Sequence, residues 1–205
     1  MTFIDEKFAL LEKAKRKMAK EEAERQLIEE EERDKKRLSL EQIREGIKAG
    51  ELELEGETLN FEEKWYWDKN LALIDIKNFF DEVTQNDDAI VMANNHKGIC
   101  VVGTYLREQI PYLSLKEKQK KMMEKFKKAQ IYVEFIKTIE LEHLDYLCYK
   151  TPTKEGWVYN IIAWFNKEKS RIILNFNCLD KERSIYGTLL EGILLESNDL
   201  FQRRG

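Results

Sequence analysis

The side chains best suited to chemistry are few in this sequence: two histidines, His96 and His143, and three cysteines, Cys100, Cys148 and Cys178. A metal site in a protein needs three or four ligands that converge, and its usual local signature is a CxxC or HExxH spacing. Neither spacing occurs in the chain. The histidines and cysteines therefore predict no metal centre, and no motif predicts a bound cofactor.

Nucleophilic catalysis needs a reactive hydroxyl or thiol beside a base that activates it. His143 lies in the run ELEHLDY, close to two carboxylates, but no local motif orients it toward a cysteine. His96 lies in ANNHKG, a composition typical of turns. The phosphate-binding patterns GxxxxGK[ST] and GxGxxG are absent. We nominate no catalytic residue, and an enzyme whose site is assembled only by the fold stays an alternative.

The cysteines lie inside apolar runs and are odd in number, which predicts small buried side chains in a reducing compartment and no disulfide framework. The opening MTFIDEKFALLEKAKRK lacks the continuous apolar core of a secretory signal. No window approaches the roughly 18 apolar residues of a membrane-spanning helix. These features lead us to expect a soluble, cytoplasmic protein.

The composition is that of a charged globular protein. Its 205 residues are 42% hydrophobic and 36% charged, with a formal net charge of −4. A chain of this length can bury one good core and carry an extension. Because the charge is nearly balanced, the overall electrostatic field gives no argument for nucleic acid, and any such argument must be local.

Residues 12–37 predict a long, solvated helix. They hold 19 charged residues of 26 and no glycine or proline, and opposite charges recur four residues apart, as in Glu21 with Arg25 and Glu29 with Arg33. Each such pair adds about 0.2–0.5 kcal/mol to a helix. The apolar residues Phe8 and Leu11 precede this stretch, so the segment is either a solvated leader or a docking helix for a partner or a second copy.

A short second helix follows the leader. Ser39 and Gln42 have the spacing of a capping box, and Gly50 suits the position that ends a helix. After it, ELELEGETLNF alternates with period two around Gly56, which predicts a hairpin. We therefore divide the chain into a charged helical leader, residues 1–50, and a sheet domain, residues 51–205.

The sequence of the sheet domain predicts a series of strands that is interrupted and followed by helices. Helical patterns cover residues 76–83, 115–129 and 181–197. Strand patterns cover residues 71–76, 89–93, 98–106, 131–140, 144–151, 157–165 and 171–178. Short loops between the last four strands predict an antiparallel meander. The fold class is α+β, with an antiparallel sheet sandwiched by helices.

The two faces of the last strands differ. Residues 157–165 are apolar on both faces, which predicts a central strand covered on both sides. In residues 171–178 one face is apolar, whereas the other carries Arg171, Asn175 and Asn177. That half-exposed face is one candidate interaction surface, because a polar sheet face can receive a partner.

The helix at 115–129 supplies a second candidate surface. Its segment KEKQKKMMEKFKK has seven lysines against two glutamates. Lys116, Lys120, Lys121 and Lys125 could meet RNA, DNA, a membrane surface or an acidic protein. The alternative is an ordinary amphipathic helix with an apolar face on the sheet and solvated lysines. Exposed aromatics or arginines, which would favour nucleic acid, are absent from the helix.

The order of these elements resembles the PsbP-like fold. The resemblance rests on the strand group, one intervening helix, the meander from IYVEFIKTIELEHLDY to RIILNFNC, and a terminal helix with YGTLLEGILLES that Ser197 would close. The photosystem II extrinsic P protein, a Ran-binding nuclear import factor and small bacterial proteins share that fold. Such proteins act mostly by binding other proteins, so the resemblance implies a binding scaffold and transfers no catalytic residue.

We therefore expect a non-catalytic, cytoplasmic protein-interaction module, of the kind that bacterial immunity or accessory proteins exemplify. A protein partner is expected, and homodimerisation through the leader would cover Phe8 and Leu11. The first alternative is a polyanion or nucleic-acid binder acting through residues 116–128. The second is an enzyme with a site that no motif reveals.

Overall fold

The computed structural model describes residues 15, 17, 18, 37–107, 113–142, 144–154, 156–166 and 171–204, without the side chains of 166 and 202–204. The chain divides into a unit of residues 1–37 and a compact unit of residues 38–205. In the first unit, Lys15, Lys17 and Met18 are helical and exposed. Phe8 and Leu11 lie outside the described residues, so the long leader helix and the homodimer stay predictions.

The compact unit contains three α-helices and ten β-strands among its described residues. The helices are α1 (Leu40–Ala49), α2 (Leu115–Lys128) and α3 (Thr188–Arg204). The strands are β1 (Glu51–Leu54), β2 (Glu57–Tyr66), β3 (Leu71–Ile76), β4 (Glu82–Gln85), β5 (Ala89–Asn94), β6 (Ile99–Leu106), β7 (Glu134–Glu140), β8 (Leu144–Thr153), β9 (Gly156–Asn166) and β10 (Arg171–Leu179). A 3₁₀ turn, Asp180–Glu182, and a π-helical turn, Arg183–Gly187, lead into α3.

The strands form two antiparallel sheets. The small sheet has the order β1-β2-β3, and the seven-stranded sheet has the order β4-β5-β6-β10-β9-β8-β7. The meander of the last four strands and the interior position of β9 are as predicted. Helix α3 lies against one face of the large sheet, and α2 lies against the other. The predicted α+β class, with helices on both sides of an antiparallel sheet, is confirmed.

The main core lies on the α3 side of the large sheet. It joins both sheets, α1 and α3, and its largest fully buried side chains include Phe165, Phe176 and Ile43. The hairpin between β2 and β3 carries Trp67 to the large sheet, where its ring stacks on Tyr105 at 5.5 Å. Gly103 makes room for this ring, because a β-carbon there would lie 3.1 Å from the indole.

A smaller cluster lies on the α2 side of the large sheet. Leu115 of α2 is buried against Leu147 and Tyr149 of β8 and Trp164 of β9. Met122 and Phe126 of α2 pack on the same cluster. The predicted apolar face of this helix is therefore confirmed, and its spacing places α2 over strands β8 and β9.

Helix α1 belongs to the compact unit and not to the leader, in contrast to our division at residue 50. The predicted capping box forms, since Ser39 Oγ accepts from Gln42 N and Gln42 Oε1 accepts from Ser39 N. Gly50 ends the helix with φ 85°. Ile43 and Ile47 are buried in the main core. Gly192 of α3 allows this approach, because a β-carbon there would lie 2.7 Å from Ile43 Cγ2.

Two helix predictions were wrong. Residues 76–83 form a turn, with Asn78 at φ 58°, and then enter strand β4. An eight-residue helix has little stability of its own, whereas here Phe79 is buried and Asn94 Nδ2 donates to its carbonyl. Ser197 does not close the last helix, which continues to Arg204. It lies mid-helix and accepts a hydrogen bond from Ile74 N of strand β3 at 2.9 Å.

Truncating Ile43 tests whether α1 is part of the folding unit. Ile43 is 1% exposed, so we expect Ile43→Ala to lower the free energy of unfolding by about 2–5 kcal/mol. Urea titration followed by circular dichroism measures the change. Glu45→Ala, on the exposed side of the same helix, is the control and should change stability little. If the Ile43→Ala chain is as stable as this control, α1 is not part of the folding unit.

Candidate interaction surfaces

Strands β5 and β6 carry an exposed surface on the α2 side of the large sheet. Paired residues of neighbouring antiparallel strands lie on one face, and one row runs through Thr84, Val91, Val102 and Asn175. The row beside it runs through Glu82, Ala93, Cys100 and Asn177. We call six of these residues the open face: Val91, Ala93, Cys100, Val102, Asn175 and Asn177.

The open face is uncharged and partly apolar. Val91 and Val102 are directly paired, and they are 39% and 36% exposed. The other four residues are half-buried. No described helix packs on β5 or β6 from this side, and the apolar cluster beneath α2 extends to Ile162 of β9 and Ile173 of β10. A strip of sheet that is uncharged up to Glu82 at its β4 edge is therefore left without a cover in the described part of the chain.

The polar residues predicted for this sheet face differ in their exposure. Asn175 and Asn177 are half-buried members of the open face, as expected for a half-exposed strand. Arg171 is only 9% exposed, so its predicted place on an accessible surface is wrong. It pairs with Leu106 and Asn166 at the far end of β10. The sequence shows the alternation but not which end of the strand is covered.

The lysines predicted as an interaction surface lie on the outer side of α2. Lys116, Lys120, Lys121 and Lys125 are all exposed. The same helix carries one buried lysine, Lys118, which is 4% exposed. The helix therefore has an exposed basic side, and one of its lysines, Lys118, faces inward.

Lys118 anchors α2 to the sheet. Its ammonium forms a buried ion pair with Asp145 Oδ2 of β8 and lies 5.2 Å from the centre of the Trp164 ring. Asp145 and Trp164 are directly paired across β8 and β9. Removing either charge would leave the other in an apolar environment, which is costly. The position of the basic helix thus depends on a contact that the lysine count alone does not reveal.

An exposed aromatic cluster lies where α2 ends and β7 and β9 begin. We call Ile131, Tyr132 and Trp157 the aromatic tip; they are 44%, 62% and 37% exposed. The rings of Tyr132 and Trp157 meet edge to face with centres 5.8 Å apart. A cleft of about 480 Å³ opens beside Trp157, against Leu179 and Asp180.

The aromatic tip was not predicted from the sequence. The apolar pattern predicted that Trp157 lies in a strand buried on both sides, and this holds for Tyr159, Ile161 and Phe165 but not for Trp157 near the start of the strand. The position of these three residues next to predicted turns could have identified the aromatic tip. Trp157 directly follows Gly156, and the pair Ile131 and Tyr132 precedes the first residue of β7.

A buried polar cluster connects α3 to the strands. Glu191 of α3 accepts hydrogen bonds from Tyr146 Oη at 2.7 Å and from Lys137 Nζ at 2.5 Å. A bulge in β7 between Phe135 and Lys137 turns Lys137 toward α3. Burial, followed by the bond to the Glu191 carboxylate, raises the pKa of Tyr146 above its usual value. The cluster is a closed set of mutual contacts that stabilises the interior.

Where the structure describes the predicted chemical residues, their surroundings do not suit catalysis or metal binding. His96 lies in the exposed turn between β5 and β6, and His143 lies outside the described residues. Burial raises the pKa of Cys148 to about 11 and of Cys178 to about 12, and it also raises the pKa of Cys100. Among the described residues, no group of three His, Cys, Asp or Glu side chains is placed to hold a metal.

The fold has a structural relative. It is similar to the solution structure of cyanobacterial PsbP (CyanoP) from Synechocystis sp. PCC 6803, with a TM-score of 0.50 and 9% sequence identity. The match covers 65% of this chain and 89% of that chain. No family model matches the chain, and no curated protein matches it by sequence. The likeness confirms the predicted PsbP-like fold and, at this identity, shows the fold alone.

No helix of the described residues combines the length and the apolar character needed to cross a bilayer.

The buried ion pair of α2 gives a testable energetic pattern. We expect Lys118→Met to destabilise the chain by about 3–5 kcal/mol, because it removes the buried ammonium that pairs with the Asp145 carboxylate. The double change Lys118→Met with Asp145→Leu should cost much less, since no uncompensated charge remains. Chemical denaturation of the two single variants and the double variant measures this. Additive losses would contradict the pairing.

Thiol labelling tests the environment of the cysteines. With pKa values of about 11 and 12, Cys148 and Cys178 carry a thiolate in roughly one molecule per thousand or fewer at about pH 8. We expect iodoacetamide to leave both unmodified in the folded chain and to modify all three cysteines in urea, as peptide mass spectrometry would show. Rapid native labelling of Cys148 would instead indicate an activated thiol.

Proposed function

We propose that this protein is a non-catalytic interaction module that binds a protein partner through the open face. The observation that carries the proposal is the uncovered, uncharged strip centred on the paired residues Val91 and Val102. Contiguous exposed apolar surface on a folded domain commonly marks an interaction site. Interface centres are depleted in charge, as this strip is.

The chemistry of the open face favours protein over nucleic acid. Binding to nucleic acid depends mainly on cations that neutralise phosphates, and none of the six residues is charged. The amide of Asn177 can donate and accept hydrogen bonds, whereas the Oδ1 acceptor of Asn175 is buried. A flat surface of valine, alanine and asparagine suits a complementary protein surface that supplies its own apolar side chains.

The fold also supports the proposed role of the open face. The PsbP-like fold provides a rigid sheet whose other face is filled by α1, α3 and the small sheet, so the open face would change little on binding. The resemblance implies a binding scaffold, and we extend it here to this chain. A cytoplasmic location, and a bacterial immunity or accessory role, belong to the same proposal.

The lysine side of α2 supports a second candidate, a polyanion binder. The supporting observation is that Lys116, Lys120, Lys121 and Lys125 are all exposed while the apolar side of the helix is packed. Binding of this kind weakens steeply as salt is raised. Contact through the uncharged open face should depend on salt far less, so the two candidates can be separated.

A charge placed on the open face should abolish partner binding. We expect Val102→Lys to release a partner that the wild-type chain retains from an extract of its source organism, because a buried lysine without a counter-charge opposes docking. The matched control is Val83→Lys. Val83 is 59% exposed and pairs with Met92, which points to the opposite face.

Quantitative mass spectrometry of the captured proteins gives the result. The proposal requires a partner present with the wild type and Val83→Lys and lost with Val102→Lys. The same partners from all three chains would overturn it. Loss at high salt together with loss on changing Lys120 and Lys121 to glutamine would favour the polyanion candidate.

A further inference from the structure

The aromatic tip lies at one end of the large sheet, where several chain segments converge. Helix α2 ends at Lys128, and β7 begins at Glu134 six residues later. The hairpin that joins β8 to β9 reaches the same place, because Tyr132 contacts Trp157. The exposed rings of Tyr132 and Trp157 thus meet at this end of the sheet, and the exposed Ile131 directly precedes Tyr132 in the chain.

The ring of Trp157 contacts a lysine on the neighbouring strand β8. Lys150 of β8 lies 5.0 Å from the centre of the Trp157 ring. Its ammonium is in turn fixed by Glu134 at 3.2 Å and Asp180 at 3.9 Å. The Trp157 side chain is therefore 37% exposed while its ring keeps a charged neighbour.

The surroundings of the tip are basic. Lys127 and Lys128 end α2, Lys154 lies in the β8–β9 hairpin, and Lys181 follows β10. All four are exposed, and none forms an ion pair with another described residue. The nearby carboxylates of Glu134 and Asp180 share the single ammonium of Lys150, so that group keeps one negative charge against the four positive charges of the surrounding lysines. The apolar, aromatic centre is thus bordered by a net positive charge.

We propose that the aromatic tip and its four lysines bind the surface of an anionic membrane. Tryptophan and tyrosine prefer the boundary between headgroups and acyl chains, where the ring is half in an apolar environment. Isoleucine gains by leaving water. Lysines beside such a site are attracted to anionic lipid and keep their ammonium groups at the headgroups.

Lipid fits the tip better than nucleic acid does. A single-stranded nucleic acid binds by stacking bases on open aromatic faces, but Lys150 already lies over the ring of Trp157. Ile131 offers no face for stacking, whereas an acyl chain can contact it directly. This surface is separate from the open face, so the two proposals stand or fall independently.

The test uses the full chain and sedimented vesicles of phosphatidylcholine, with and without phosphatidylglycerol. We expect binding to the anionic vesicles only, and weaker binding as salt is raised. The double change Ile131→Ser with Tyr132→Ser should reduce the affinity by about tenfold or more. Changing Lys127 and Lys128 to glutamine should weaken it further through charge alone.

Two controls make the result specific. Val83→Ser removes an exposed apolar side chain from edge strand β4 and should bind vesicles like the wild type. Lipids brominated near the headgroup should quench part of the tryptophan fluorescence, and Trp157→Phe should remove that part while the other three tryptophans are kept. Thermal melting of each variant shows that the fold is intact.

The outcomes are decisive in both directions. Selective binding that depends on the tip, together with quenching that depends on Trp157, supports the proposal. Equal binding to both kinds of vesicle overturns it, as does binding that the tip variants leave unchanged. Tip-dependent binding of a single-stranded oligonucleotide or an acidic protein, with no binding to vesicles, would assign the tip to that partner instead.

Discussion

The structure depends on pairing the buried carboxylates and the buried hydroxyl of a helix that is buried on nearly every side. Helix α3 has the large sheet, strand β3 and helix α1 as neighbours, and Glu191, Glu196 and Ser197 are all at most 6% exposed. An unpaired charge in such a position is very costly. Each group therefore binds a different element: Glu191 binds Lys137 and Tyr146, Glu196 binds Arg44 of α1, and Ser197 binds Ile74 N of β3.

This burial decides which surfaces are left for partners. Because α1, α3 and the small sheet fill one face of the large sheet, a single 14-residue helix is the cover that the described chain provides for the other. Helix α2 is fixed over β8 and β9 by the Lys118–Asp145 pair and an apolar cluster. It does not reach β5 and β6, and the open face follows directly from that limit. The aromatic tip likewise lies where α2 ends.

The local patterns predicted much of this architecture. Both capping boxes form, at Ser39 with Gln42 and at Ser114 with Glu117, although only the first was identified as one. The apolar periodicity located α2 and the strands of the meander, because burial of one face imposes a period that the sequence must carry. The prediction failed at residues 76–83, where helix-like spacing gave way to pairing with β5. Local preference is weak in so short a segment, and tertiary contacts override it.

The sequence by itself determined the fold class, the order of the elements and the alternation of faces along each strand, since these depend on residues near one another in the chain. Only the tertiary structure decided which faces are covered. Arg171 became buried and Trp157 exposed, although the pattern assigned each to the other class. Lys118 and Lys120 look alike in the sequence, but one is paired beneath α2 and the other is solvated. Exposure depends on which distant elements pack together, and that information is carried by no single stretch of chain.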